Sequence, residues 1–197
     1  MTTSTTDGQV YAVAIDLPRT GVTVSGSWRP SDVERSAAWD LCVELATRVP
    51  VIPLREDEGL LTEALASMSA VFGSVRDILR RHGPGVAVSR PGELSFAVLA
   101  GHLINQELRP VLAYWHPLLS NWMDLCPPGT GRRDRERAFP DEAALRALLA
   151  GALRTELLEF TDAFAKVSGG HEFVRVQLDN EDRLYSRRRR QRAQGRA

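Results

Sequence analysis

Three side chains suited to acid–base and phosphate chemistry recur at intervals of seven along one predicted helix. They are His102, Arg109 and His116. On an α-helix a spacing of seven shifts a side chain by only about 20° around the axis, so the three are expected on one edge, opposite the apolar face. Histidine exchanges a proton near neutral pH, and arginine binds phosphate oxygens. This edge is therefore the constellation in the sequence with residue types that could do chemistry.

This edge resembles the active face of the higher-eukaryote and prokaryote nucleotide-binding (HEPN) ribonucleases. Those proteins are compact helical bundles whose motif is an arginine, four to six residues, and then a histidine. Here Arg109 and His116 have six intervening residues, with Pro110 where the family usually carries a polar residue. In the family the histidine acts as acid–base, the arginine stabilises the phosphate, and the site is completed across a dimer. The resemblance implies a metal-independent ribonuclease that uses Arg109, His116 and the neighbouring His102.

A carboxylate falls within the apolar face of the same predicted helix. By helical angle Glu107 lies on the side that carries the large apolar residues. A buried carboxylate must be paired or have a raised pKa, and such groups are candidates for function. The alternatives are that a kink at Pro110 turns Glu107 outward or that an arginine pairs with it. We expect one of these structural explanations.

The sequence lacks the motifs of metal, nucleotide and covalent chemistry. Cys42 lies in the middle of a predicted helix without a partner at ligand spacing, and Cys126 precedes two prolines. No H-E-x-x-H or C-x-x-C sequence is present, and Gly129-Thr130-Gly131 has no preceding strand to make it a phosphate loop. We therefore expect no metal and no cofactor, and we expect Cys42 to be a small core residue.

The formal net charge of zero hides a strong asymmetry along the chain. Residues 1–182 carry 18 basic and 25 acidic side chains, a net charge of −7, whereas residues 183–197 carry seven arginines and no acidic residue. The candidate binding residues of this tail are Arg187, Arg188, Arg189, Arg190 and Arg192. Such a tail either rests loosely on the acidic body or makes weak contacts with nucleic acid or another acidic surface.

Hydrophobic periodicity predicts a mainly α fold, an antiparallel four-helix bundle. The four predicted helices cover about residues 31–49, 57–81, 93–115 and 140–167. Ser31 and Glu34 form a capping-box pattern, and Pro110 predicts a kink in the third helix.

Two β-branched runs precede the helices and predict a small hairpin. They cover residues 10–15 and 22–25 and flank a turn that contains Pro18 and Gly21. The alternation of apolar and polar residues near 173–178 suggests a third strand. We expect one domain over 10–182, between a disordered N-terminus (1–9) and a disordered basic tail (183–197).

These features favour a protein that works by binding. No apolar run approaches the length of a membrane span and the first residues show no secretion signal, so we expect a cytoplasmic protein. Trp28, Trp115 and Trp122 are candidate anchors. The leading hypothesis is a non-enzymatic interaction or adaptor module that binds an unknown protein partner, within a larger bacterial-type assembly and with self-association open. The alternative is the ribonuclease.

Overall fold

The chain is mainly helical, with a three-stranded sheet formed largely by its N-terminal segment. The structure is a computed structural model that describes residues 8–48, 54, 59–88, 90–127 and 129–194. The mainly α class predicted from the periodicity is confirmed. The antiparallel four-helix arrangement is not confirmed, because two of the predicted helices are interrupted and further helices are present among the described residues.

The predicted hairpin is present and packs on the helical body. Strand β1 (Tyr11–Leu17) pairs antiparallel with β2 (Val22–Trp28). Gly21 closes the turn with φ +67°, which residues with a side chain rarely adopt, and its N–H donates to the carbonyl of Leu17. Alternate residues of β1 are buried, and the strand contacts a helix at 152–168. The hairpin therefore gains its stability from the helices beneath it.

The third strand lies elsewhere than predicted. Strand β3 (Glu93–Leu94) pairs parallel with the end of β2. Residues 173–178 form part of a helix, so the prediction of a strand there is wrong. Val174 and Leu178 both pack against the core. Residues four positions apart lie on one face of a helix and also on one face of a strand, so their spacing alone does not distinguish the two.

Helices α1 (Asp32–Ala46) and α2 (Leu61–His82) occupy the first two predicted helical segments. The capping box is confirmed: the N–H of Glu34 donates to the Ser31 hydroxyl at 3.2 Å, and the N–H of Ser31 donates to the Glu34 carboxylate at 2.9 Å. A short 3₁₀ turn (Gly83–Val86) follows α2.

The third predicted helix starts later, extends further and contains a wider turn. Helix α3 (Phe96–His102) continues through a π-helical turn (Leu103–Leu108) into α4 (Arg109–Leu125). Pro110 has no N–H, and its ring crowds the carbonyl four residues earlier. The residue before it donates its N–H to a carbonyl five residues back, as in a π-helix. The irregularity predicted at Pro110 is thus a π-helical turn directly ahead of it.

The fourth predicted helix is divided at a glycine. The remaining helices are α5 (Arg132–Arg137), α6 (Glu142–Ala150), α7 (Ala152–Ser168) and α8 (His171–Gln194). At Gly151 an added Cβ would lie 2.8 Å from the carbonyl oxygen of Ala147, so a side chain does not fit between α6 and α7. Gly169 ends α7 in the left-handed conformation, with φ +77°, which confirms the predicted helix stop.

Helix α8 continues through residues 183–194, where the sequence predicted a disordered tail. Arginine is a good helix former, and acidic residues three and four positions away support the first turns. Arg175 donates to Glu172 at 2.5 Å and to Asp179 at 3.3 Å. Residues 195–197 of the tail and 1–7 of the predicted disordered N-terminus lie outside the described residues.

The hydrophobic core lies between α1, α2, α7 and the inner face of the sheet. Its largest fully buried side chains include Trp28, Phe96, Phe160, Phe164, Leu41, Leu65 and Met68. Trp28 is therefore a core residue and not an anchor for a partner. Among the described helices, none has the length and apolar composition to cross a membrane.

Candidate functional site

Buried charge collects where the hairpin turn meets the π-helical turn. Arg19, between β1 and β2, pairs through Nη2 with Glu107 of the π-helical turn and through Nε with Glu156 of α7. Its backbone N–H donates to Glu156 at 2.9 Å, and Nη2 also reaches the carbonyl oxygen of Glu107 at 3.3 Å. Both carboxylate side chains are fully buried, while that of Arg19 is 16% exposed. We call these three residues the Arg–Glu–Glu cluster.

The folding of each element explains why the cluster forms. The π-helical turn directs Glu107 inward together with Leu103 and Leu108, so the carboxylate predicted on the apolar face is indeed buried. Glu156 lies on the buried face of α7, one turn from Phe160. Arg19 pairs with Glu107, as the second of the two structural alternatives predicts.

Keeping Arg19 and both carboxyls ionised in a buried site is unfavourable in free energy, because two negative charges then face one positive charge away from water. Burial, together with a hydrogen bond to Glu156, raises the pKa of Glu107 to about 7 against the opposing effect of Arg19. Burial also acts to raise the pKa of Glu156, but hydrogen bonds with Glu107 and Arg19 outweigh it and the pKa is lowered. The cluster therefore keeps one proton on Glu107 up to about neutral pH, and it is then electrically neutral.

The hydrogen-bond pattern of Glu107 agrees with this protonation. Its Oε1 is buried and accepts no hydrogen bond from a donor in the described part of the chain. A buried ionised oxygen without a donor is costly, whereas a protonated carboxyl can itself donate to Glu156. The cluster can thus bind and release a proton, but its fully buried carboxyls present no surface to a substrate in this conformation.

The predicted acid–base residues are not brought together by the fold. Arg109 is exposed, and its guanidinium carbon lies 5.6 Å from the centre of the Phe72 ring. His116 is exposed two helical turns further along α4, which is about 10 Å along the axis. His102 is half-buried, with an Nδ1 that has no hydrogen-bond partner among the described residues. The π-helical turn contains one extra residue, which rotates His102 by about 100° away from the predicted edge.

One edge of α4 carries three large apolar residues that are exposed to solvent. Tyr114 is 60% exposed, Leu118 40% and Leu125 74%. The neighbouring Trp122 is partly buried, and its indole N–H donates to the carbonyl of Arg135 at 2.7 Å. We call Tyr114, Leu118 and Leu125 the α4 outer face. Trp115, a second candidate anchor, is likewise partly buried against the core.

A surface pocket of about 260 Å³ adjoins one end of this face. Its lining residues are Trp122, Leu125, Cys126, Pro127, Thr130, Asp134, Arg135 and Ala138. Six of the eight are uncharged, and the other two are one acid, Asp134, and one base, Arg135. The pocket therefore suits an apolar side chain.

The predicted arginine contacts lie on the C-terminal half of α8. Arg183 and Arg187 are exposed. The side chains of Arg188, Arg189, Arg190 and Arg192 lie outside the described residues, although the backbone there is helical. The sequence places these positions all around the helix, because consecutive residues differ by about 100°.

The structure also shows where the candidate metal ligands and the two cysteines lie. Within the described ranges, no group of three or more His, Cys, Asp or Glu residues could hold a metal ion. Cys42 is buried, and burial raises the pKa of its thiol to about 11, so the prediction of a core residue is confirmed. Cys126 is partly exposed in the pocket beside α4.

Comparison with known proteins finds no matching family model, no matching curated protein and no matching solved structure.

Sequence reasoning missed Arg19, Glu156 and Glu136. Glu156 had a usable signal, since it lies on the apolar stripe of its helix just as Glu107 does. Glu136 accepts the N–H groups of Leu61 and Thr62 at the start of α2, at 2.7 and 3.0 Å. Neither Arg19 nor Glu136 had a local signal, because the partners of both are far away in the sequence.

Proposed function

We propose that this protein is a non-enzymatic interaction module that binds a protein partner through the α4 outer face. The exposure of Tyr114, Leu118 and Leu125 along one edge of α4, beside its buried residues Val111 and Leu119, carries the proposal. Burial of apolar surface is the main favourable contribution to protein association. Neighbouring large apolar residues exposed on a monomer mark such sites.

The surroundings of the face indicate the chemistry of the partner. The pocket beside Leu125 suits an apolar anchor. Helix α5, which contacts α4, presents exposed arginines at 132 and 137, while its Glu136 is buried in contacts with α2. A partner segment that combines an apolar side chain with acidic residues complements both features.

A second binding function, for nucleic acid, is favoured by the helical form of the basic segment. Residues 183–194 continue α8, and Arg183 and Arg187 are exposed. An α-helix with cationic positions on all sides fits the major groove of duplex DNA, where phosphates lie on both walls. A protein with one surface on α4 and another on α8 would connect two molecules, as an adaptor does.

The first test is site-specific photo-crosslinking followed by a measurement with purified proteins. A photoreactive residue at Leu118 of the full chain is expected to capture a partner, which is then identified, purified and titrated by calorimetry. The Leu118→Glu variant is expected to weaken the Kd at least 20-fold, because it places a charge in the apolar contact. The control is Val88→Glu, at a residue that is 73% exposed and lies outside the α4 outer face.

Three results would contradict the first proposal. Equal affinities for the Leu118→Glu and Val88→Glu variants would remove α4 from the interface. A crosslink to a second copy of this chain would mean that the α4 outer face mediates self-association and does not bind a different protein. RNA cleavage by the purified protein that His116→Ala abolishes would favour the ribonuclease instead.

The nucleic-acid contact is tested by the salt dependence of binding to a 20-bp DNA duplex. Each neutralised phosphate adds about −0.9 to the slope of log K against log salt, so a slope of about −3 to −5 is expected. A chain that ends at residue 182 should lose this binding. A flat salt response, or equal binding by the shortened chain, would exclude a DNA contact through α8. Tighter binding to an acidic protein than to DNA would mean that the basic segment of α8 binds protein instead.

A further inference from the structure

We infer that the Arg–Glu–Glu cluster is a proton-operated latch, which fastens the hairpin turn to the π-helical turn and loosens when Glu107 loses its proton. The inference depends on the geometry of the cluster and not on the partner proposed for α4.

One side chain connects three distant segments. Arg19 contacts Glu107, 88 residues away, and Glu156, 137 residues away. Its backbone N–H, its Nε and its Nη2 all donate to these two partners. The attachment of the turn to the body therefore depends on the balance of charge between one guanidinium and two carboxyls.

The charged groups that act on Glu107 are Arg19 from the hairpin turn and Glu156 from α7. The other elements that contact the π-helical turn bury only apolar residues, as the buried residues of α2, α3 and α4 show. On α3 the half-buried His102 is the nearest titratable residue in sequence, and on α4 Arg109 lies at the surface over Phe72. The protonation of Glu107 is thus governed within the cluster.

The proton decides whether the charges balance. With Glu107 protonated, one guanidinium faces one carboxylate, and Glu107 can donate a hydrogen bond to Glu156. After the proton leaves, two carboxylates compete for one cation in a water-poor site, and Oε1 of Glu107 remains without a donor. The extra negative charge weakens the closed arrangement, and opening the turn admits water to it.

The sign of the pH dependence follows from linkage. The pKa of Glu107 is raised from an ordinary value of 4.5 to about 7 in the closed state. The closed state therefore holds one more proton than the open state between these values, and closure weakens as the pH rises through this window. From pH 6 to pH 8 the opening constant of the latch is expected to increase about tenfold.

The π-helical turn is a suitable place for such a device. It contains one more residue per turn than the flanking α-helix, and such turns are often found at functional sites. Glu107 lies within it, and the carbonyl of Glu107 also accepts from Arg19. A change in the protonation of Glu107 therefore acts directly on the helical segment that leads into α4.

The experiment combines two measurements on the full chain. Carbon-13 NMR of the glutamate carboxyls gives the titration midpoint of Glu107, expected near pH 7. Amide hydrogen exchange of Arg19, divided by its intrinsic rate, gives the opening constant at pH 6 and pH 8. The wild type should show the tenfold increase, and Glu107→Gln less than a twofold change, because glutamine resembles the protonated carboxyl. Glu63→Gln, at an exposed position on α2, is the matched control and should behave as the wild type.

Clear results would overturn the latch. A titration midpoint of Glu107 below pH 5.5 in the wild type would rule out the latch, and this result does not depend on whether Glu107→Gln folds. Equal pH dependence of Arg19 exchange in the wild type and in Glu107→Gln would show that another group controls the turn. If Glu63→Gln also abolished the increase in the opening constant from pH 6 to pH 8, the effect would not be specific to Glu107.

Discussion

The four glutamates that are buried in the described part of the chain are stabilised by different means, and the differences determine what each can do. Glu34 accepts the indole N–H of Trp28 at 3.1 Å and the backbone N–H of Phe96 at 2.9 Å, and Glu136 accepts the first N–H groups of α2. Both are satisfied by neutral donors. Glu107 and Glu156 instead share Arg19. When both carboxyls of this pair are ionised, two negative charges face one guanidinium, and the pKa of Glu107 is raised to about 7.

Replacing Arg19 by methionine should destabilise the protein by about 3 kcal/mol, because two buried carboxyls lose their cation. Urea unfolding at pH 7 measures the change in the free energy of unfolding. As a control, Arg76→Met on the exposed side of α2 should change it by less than about 0.5 kcal/mol. Equal effects of the two variants would mean that the cluster contributes nothing specific.

The two cysteines should differ strongly in reactivity. Burial raises the pKa of the Cys42 thiol to about 11, so little thiolate forms at pH 8, and the side chain is inaccessible. Cys126 lines an open pocket. Alkylation with iodoacetamide at pH 8, followed by mass spectrometry, should modify Cys126 first and Cys42 only under unfolding conditions. Modification of both at similar rates in the folded protein would contradict the placement of Cys42.

At the level of elements, Glu136 joins α5 to the start of α2. Its carboxylate takes the place of an N-cap side chain, since Leu60 in the N-cap position makes no side-chain cap hydrogen bond. Glu136→Ala should therefore cost about 2 kcal/mol and increase hydrogen exchange in the first turn of α2. Glu63→Ala in that same turn serves as the control and should have a small effect. If exchange in this turn is unchanged by Glu136→Ala, another group caps the helix.

Local signals made the helices, the hairpin and the irregularity near Pro110 predictable, but not the division of the last predicted helix. The capping box at Ser31 and the turn at Gly21 each depend on residues that are close together in the sequence. The division lies at Gly151, where the backbone leaves the helical conformation with φ −105° and ψ −106°, and the apolar periodicity of the sequence continues through this residue. The two-residue strand β3 is too short to produce a periodicity of its own.

The candidate site was predictable in part for the same reason. The burial of Glu107 follows from the helical period, and the same reasoning applied to Glu156 would have found it. Their common partner could not be found in this way, because Arg19 is 88 and 137 residues away from them. The predicted edge of His102, Arg109 and His116 assumed a regular helix, and the π-helical turn changes its register. Its role in ribonuclease chemistry stays a prediction.

At the scale of the whole molecule, the acidic body and the basic end of α8 should behave as separable parts. Val174 and Leu178 pack against the core, whereas the described residues after Asp182 are mostly exposed. Removing residues 183–197 should leave the free energy of unfolding within about 1 kcal/mol of the wild type, because little apolar surface is lost. Thermal and urea unfolding test this. A larger loss would show that the basic segment is part of the folded core.

Hydrogen exchange of the purified complex with the crosslinked partner tests the proposed function most directly. Binding through the α4 outer face predicts slower exchange of amides in residues 112–126 and 130–138, with no change in α1 or at the hairpin. Protection confined to surfaces away from α4, with these residues unaffected, would contradict it.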